Sequence, residues 1–196
     1  MPPPRLVLAS TSPYRRELLT RLRLPFEVIG PEVDETPRIG EPPAALTQRL
    51  AREKAAAVAA RFAGAVVIGA DQVAVLDGTA LSKPGSHDSA VRQLRALRGR
   101  RITFLTAVAV AQGAPPRILA RVVPTDVTFR AFGDAAIETY LEADRPYDCA
   151  GAAKIESLGI ALVERVDSPD PTALVGLPLI ALVDLLAELG VQVLPA

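Results

Sequence analysis

One cysteine and one histidine stand in a chain of 196 residues. Cys149 alone can neither close an intramolecular disulfide nor build a Cys-cluster zinc site. His87 alone removes His-rich metal centres and most Ser-His-Asp schemes. Any metal is therefore expected to be a hard cation on carboxylate oxygens, magnesium or manganese. Net charge is lacking too, with Lys+Arg and Asp+Glu at 22 each. Nucleic-acid binders carry a basic footprint, so no nucleic-acid partner is expected. A small anion held by a few local cations stays compatible. No apolar run approaches the ~18 residues of a membrane span without charge or proline. The start, Met1-Pro2-Pro3-Pro4-Arg5, has no signal-peptide core. The expectation is a protein away from membranes, in the cytoplasm.

What is present is a substantial core. Hydrophobic residues make up 49% of the chain, which excludes a disordered regulator. The length suits one large domain, or two small lobes sharing a sheet. Leu6–Ala9 reads as a buried strand, followed by Ser12 as N-cap and Pro13 at the first helical position. Phe26–Ile29 reads as a second strand. Residues 30–43 form a long acidic, proline-rich loop, and such loops are usually functional or mobile. Residues 44–62 read as an amphipathic helix with Leu46, Leu50, Ala57 and Val58 near one face. Ala65–Ala70 is an apolar strand running into Asp71, and 73–81 a hairpin turning at Asp77-Gly78. A helix is expected over 86–97, and strands over 102–111 and 117–130. Pro124 marks an edge or bulge in the second of these. A helix at 133–141, a short strand at 159–163 and a helix at 177–189 complete a mixed α/β pattern without repeats or linker.

Four places carry possible chemistry. In Ser10-Thr11-Ser12-Pro13-Tyr14-Arg15-Arg16, the free N–H groups of a helix start favour an anion. Two hydroxyls and two arginines, whose planar donors suit phosphate, sit at the same spot. An ordinary Ser cap followed by solvated arginines reads equally well. Asp71 follows an apolar strand, where open α/β sheets place ligands. A turn residue bonded to nearby backbone is the commoner fate of an isolated Asp after a strand. Lys54 and Lys83 could each reach phosphate oxygens, or each be a solvated surface lysine. Glu35 in the acidic loop could join Asp71 as carboxylates converging on magnesium, or the loop could simply solubilise.

Taken together, the segments Ala9–Arg16, Val33-Asp34-Glu35, Glu53-Lys54-Ala55, Gly69–Val73, Lys83-Pro84, Asp148–Gly151 and Val175–Pro178 resemble the Maf family of nucleoside-triphosphate pyrophosphatases. They occur in family order and span nearly the whole chain. The longer forms Pro31–Arg38, Asp71–Gly78 and Cys149–Glu156 look most like the branch acting on 7-methyl-GTP. One departure stands out: Tyr14 is a phenol where that branch is associated with an indole.

The resemblance implies a single Maf-like domain over 1–196, inosine-triphosphatase-like. Its expected form is an elongated, curved mixed sheet flanked by helices, with two lobes around a central cleft. It implies metal-dependent hydrolysis between the α- and β-phosphates, giving monophosphate and pyrophosphate, with magnesium or manganese as cofactor. By matched position, Ser10 and Arg15 hold phosphate, and Glu35, Lys54, Asp71 and Lys83 are the catalytic set. Glu35 and Asp71 are the metal carboxylates, and Asp71 the proton acceptor. A carboxylate bound directly to a metal is a poor base, so Asp71 is expected to ligate through water and Glu35 directly. Tyr14, Gln72 and Glu156 match positions associated with base selection. N7-methylated guanine is cationic, which favours stacking on Tyr14 and a carboxylate such as Glu156. The family further implies a lid over 30–43 and a homodimer. A dTTP/UTP pyrophosphatase and a non-catalytic nucleotide-binding regulator of septum formation are the competing readings.

Overall fold

The computed structural model describes residues 4–62 and 64–194. Residues 1–3, on which the signal-peptide reading rests, lie outside them. Among the described residues no helix is long and apolar enough to cross a membrane.

The described residues form five α-helices: α1 (Pro13–Thr20), α2 (Pro43–Ala59), α3 (His87–Leu97), α4 (Asp134–Asp144) and α5 (Leu179–Glu188). The strands are β1 (Leu6–Ala9), β2 (Phe26–Ile29), β3 (Val66–Leu76), β4 (Thr79–Leu81), β5 (Arg101–Gln112), β6 (Arg117–Phe129) and β7 (Val163–Asp167). They form one sheet in the order β2-β1-β3-β5-β6-β7, with β4 on β3. β1 is parallel to β2 and β3, while β3–β4 and β6–β7 are antiparallel. The sheet is therefore mixed. Contacts divide the chain into two compact units.

The first unit holds residues 1–71, 106–123 and 170–196. Strand alternation splits its core in two. Leu6, Leu8, Val66, Ile68 and Ala70 face Leu18, Leu19 and the apolar side of α5. Val7, Ala9 and Val67 face Ala51, Ala55 and Val58 of α2. Gly69 lies on that second face. A Cβ there would meet the Ala51 carbonyl oxygen and stand 2.7 Å from the Ala55 nitrogen. Only glycine lets β3 and α2 approach this closely.

The second unit holds residues 72–105 and 124–169. Here α3 packs on α4, and Ser86 caps α3 by accepting from Ser89 N–H at 3.4 Å. Asp77 and Gly78 both take positive φ, 49° and 77°, as a two-residue hairpin turn demands. Pairing of β6 with β7 starts at Asp126, so Pro124 meets no ladder donor requirement on that side.

Three expectations are corrected. The strand into Asp71 does not end there; β3 continues to Leu76, carrying Asp71 and Gln72 within it. Gly159–Val163 is not a strand but a 3-10 turn over Leu158–Leu162, with the strand beginning at Val163. The Gly159 N–H goes to Asp144 Oδ2 at 3.3 Å rather than to a ladder. The second helix stops at Ala59, and Ala57 is only half-buried; its buried stripe is instead Leu46, Thr47, Leu50, Ala51, Lys54, Ala55, Val58 and Ala59.

Candidate active site

β1 and β3 run parallel with Ala9 opposite Gly69. Ser10 follows the last residue of β1, and Asp71 lies inside β3 two residues past Gly69, where β1 no longer pairs with it. Both stand at the carboxyl side of the β1–β3 pairing, where α/β sheets hold ligands. Ser10 is buried, and its hydroxyl accepts the Ser12 N–H at 3.1 Å. Ser12 in turn caps α1 by accepting from Arg15 N–H at 3.4 Å. Arg15, in the first helical turn, donates from Nε to the Gly176 carbonyl at 2.9 Å.

Lys54 is the centre of the site. It sits one turn beyond Leu50 and one before Val58, so α2 carries it on its buried face with 5% of its surface exposed. Its ammonium donates to Asp71 Oδ1 at 2.7 Å and lies 2.6 Å from Glu35 Oε1. Asp71 is nearly buried and Glu35 about half-exposed. The solvated-surface alternative for Lys54 is thereby excluded.

Burial pushes the Asp71 carboxyl above the ordinary aspartate range; Lys54 and Arg15 pull it down, and Glu35 adds a further upward push. Burial lowers the affinity of Arg15 for its proton, against the opposing fields of Asp71 and Glu35. Arg15, Lys54, Glu35 and Asp71 thus form one electrostatic unit, two charges of each sign. Such a cluster keeps buried charges paired and presents cations to an incoming polyanion.

The loop after β2 is held on α2 rather than loose. Arg49 pairs with Glu41 at 2.7 Å and with Glu53 at 2.9 Å. Its Nη2 also donates to the Thr36 carbonyl at 3.1 Å, next to Glu35. Arg49 pulls the Glu41 carboxyl down to about 2.

Tyr14 is half-buried beside Arg15 in the first unit. Gln72, Lys83 and Glu156 belong to the second unit. Gln72 is half-buried on β3. Lys83 is exposed on the loop before α3, whose Gly85 N–H is held by the Tyr147 carbonyl at 2.9 Å. Glu156 is exposed on a loop fastened by Asp144, which accepts from Ser157 Oγ at 2.8 Å. Tyr140 OH accepts the Lys154 N–H at 2.8 Å on the same loop. Partial desolvation lifts the Glu156 carboxyl above its usual range, with Asp144 and Asp148 adding to it and Lys154 opposing.

Sequence reasoning missed Gly69, Gly176, Asp170 and Asp144 as supports. Gly176 and Gly69 lie inside matched motifs, so a signal existed for them. Asp144, the last residue of α4, and Asp170, in the bend after β7, had none.

A family model described as "Maf-like protein" matches residues 5–189. A protein of Polaromonas sp. (strain JS666 / ATCC BAA-500) named 7-methyl-GTP pyrophosphatase is 59% identical over 189 residues, 95% of this chain and 85% of that one. Its namesake in Ralstonia nicotianae is 57% identical over 183 residues, 93% and 94% of the two chains. That of Cupriavidus metallidurans is 54% identical over 187 residues, 95% and 94%. Among solved structures, a HAM1 protein from Coxiella burnetii superposes with a TM-score of 0.44 at 17% identity, covering 65% of this chain and 74% of that one.

Proposed function

The chain belongs to the Maf family, and on that premise we propose that it is a nucleoside-triphosphate pyrophosphatase acting on 7-methyl-GTP. The products are the monophosphate and pyrophosphate. One observation carries the reading: Lys54 joins Asp71 and Glu35 at 2.7 and 2.6 Å within the field of Arg15. The substrate follows the names of relatives that are 54% to 59% identical.

The residues fit a divalent cation of the magnesium type. Glu35 and Asp71 share one ammonium, so both are within reach of a single cation. Among the described residues no group of three or more His, Cys, Asp or Glu gathers as a metal cage. Two carboxylates, with water and phosphate oxygens completing the shell, is how magnesium is usually held at phosphate sites. When bound, such an ion would supply charge neutralisation on the phosphate oxygens.

The chain's own groups account for the other needs of the reaction. The Ser10 hydroxyl and the Nη edge of Arg15 hold phosphate oxygens by charge-assisted bonds. Lys54 neutralises charge as the pyrophosphate leaves. Asp71 accepts the proton of the attacking water, and its burial makes it a stronger base than an exposed aspartate. Lys83, Tyr14, Gln72 and Glu156 enter by matched position: Lys83 on phosphate, Tyr14 as the stacking face, Gln72 and Glu156 on the base. A cytoplasmic setting and a homodimer belong to the same reading.

The test is pyrophosphate release with magnesium or manganese across 7-methyl-GTP, GTP, dTTP and UTP. The expected result is metal-dependent turnover with the highest kcat/KM for 7-methyl-GTP. Preference for dTTP and UTP would move the chain to the other branch. Tight binding without turnover would favour the regulator. Light scattering checks the dimer.

A further inference from the structure

Gly176 stands in the Val175-Gly176-Leu177-Pro178 motif, which the reaction itself leaves without a role. Its φ is +116°, a conformation that side chains rarely adopt, and its carbonyl accepts from Arg15 Nε at 2.9 Å. That bond spans 161 residues of sequence. Guanidinium has one donor on Nε and four on its two Nη atoms. With Nε taken by Gly176, the Nη edge is the part left to face an anion, and its direction is set by where the Gly176 carbonyl points.

Asp170 and Thr172 fix that carbonyl. Asp170 is 2% exposed. Its Oδ1 accepts from the Thr172 N–H at 3.0 Å and the Thr172 hydroxyl at 2.7 Å. Its Oδ2 accepts from the Ile180 and Ala181 N–H groups at 2.7 and 3.3 Å. These are orphan donors in the first turn of α5, where Pro178 offers no side-chain cap and a carboxylate is electrostatically favoured. The Thr172 hydroxyl oxygen also accepts the Leu179 N–H at 2.8 Å and stands 2.9 Å from the Leu177 carbonyl. Thr106 on β5 ties the same segment to the sheet by donating to the Ala173 carbonyl at 2.9 Å. Residues 170–181 are thus closed on both sides of Gly176 by two side chains.

We infer that Asp170 and Thr172 are positioning residues for Arg15, acting through the Gly176 carbonyl to aim the guanidinium at the triphosphate. The inference rests on the reading of Arg15 as a phosphate ligand. It explains why a buried carboxylate sits so far in sequence from the reacting groups. In this assignment the two residues act on Arg15 through one backbone acceptor, the Gly176 carbonyl.

A double-mutant cycle tests this, with nucleotide KM, kcat and Tm measured on Thr172→Val, Arg15→Ala and the double variant. Loss of the Thr172 hydroxyl in the parent should raise KM by about 5- to 10-fold with kcat changed by no more than about twofold, the mark of lost binding rather than lost chemistry. In the Arg15→Ala background the same change should move KM by less than about twofold, because residues acting through one another are not additive. Tm should fall equally in both backgrounds, which separates positioning from folding. Thr172→Ser, which keeps the hydroxyl, should restore the parental KM. Asp170→Asn, which keeps one acceptor oxygen and so cannot serve both the Thr172 donors and the Ile180 and Ala181 N–H groups, is run through the same cycle with the same expectation. Multiplicative effects on KM in both backgrounds overturn the inference while leaving the phosphate role of Arg15 intact. If Arg15→Ala alone leaves KM unchanged, the phosphate role fails and the inference with it.

Discussion

The closest approach in the first unit yields the sharpest expectation, from Gly69→Ala. The added methyl would press on the Ala51 carbonyl oxygen and lie 2.7 Å from the Ala55 nitrogen. Both obstacles are backbone atoms of α2, so no rotamer change relieves them, and the helix must retreat by about 1 Å to restore ordinary contact. Overpacking of this kind costs about 1–3 kcal/mol. The same retreat stretches the 2.7 Å Lys54–Asp71 bond to on the order of 3.5 Å, past useful hydrogen bonding. The buried pair then loses part of what offsets its desolvation, so the upper end, about 3 kcal/mol, is expected. For a chain of this size that is a fall in Tm of roughly 6–12 °C. A shift of about 1 Å in a catalytic group can cost on the order of 100-fold in rate, and kcat/KM should drop accordingly. Scanning calorimetry and pyrophosphate release measure the two effects. Ala55→Gly removes only the third contact, the Ala55 Cβ at 3.0 Å, and leaves both backbone obstacles in place, so it should not rescue the variant. A Tm within about 2 °C of the parent, or rescue by Ala55→Gly, would show that β3 and α2 are not in contact as described.

Four further expectations follow from single groups. Asp71→Asn should lower kcat by about 100-fold or more, and near-normal turnover at saturating metal would remove Asp71 as the base. Glu156→Gln should narrow the kcat/KM ratio between 7-methyl-GTP and GTP; an unchanged ratio counts against Glu156 as a reader of the base. Tyr14→Trp enlarges the stacking face, so KM for 7-methyl-GTP should fall severalfold, as cation–π energies of about 1 kcal/mol imply, with KM for GTP nearly constant; equal shifts for both nucleotides would exclude Tyr14 from that face. Arg49 depresses the folded carboxyl of Glu41 to about 2, so its stabilising contribution is whole above the ordinary value of ~4.3 and is lost as pH falls through about 2. Urea midpoints between those limits should fall less steeply with acid in Glu41→Gln than in the parent, and parallel curves would contradict the assignment.

What was legible in the sequence and what was not divide along a physical line. Strands such as Leu6–Ala9 and Phe26–Ile29, and the Ser12 cap, are local, and residue type alone locates them. Polar residues interrupt the apolar run and make Asp71 read as a strand end, whereas β3 continues through Asp71 and Gln72. The 3-10 turn at Leu158–Leu162 was hidden because Asp144, far off in sequence, takes the Gly159 N–H. The support of Arg15 was hidden for the same reason, since its partner is a carbonyl, which every residue carries.

Lys54 is the instructive middle case. Base rates for a lone lysine favour solvent, yet Leu46, Leu50, Lys54 and Val58 are spaced four apart and share one helix face. A lysine in the middle of such a stripe must either disrupt the core or bring its own counter-charges. The structure supplies Asp71 and Glu35, from a strand and a loop that no local pattern links to α2. The sequence reading leaves Lys54 open between phosphate and solvent, and the tertiary fold decides it by bringing both carboxylates to the buried face of α2.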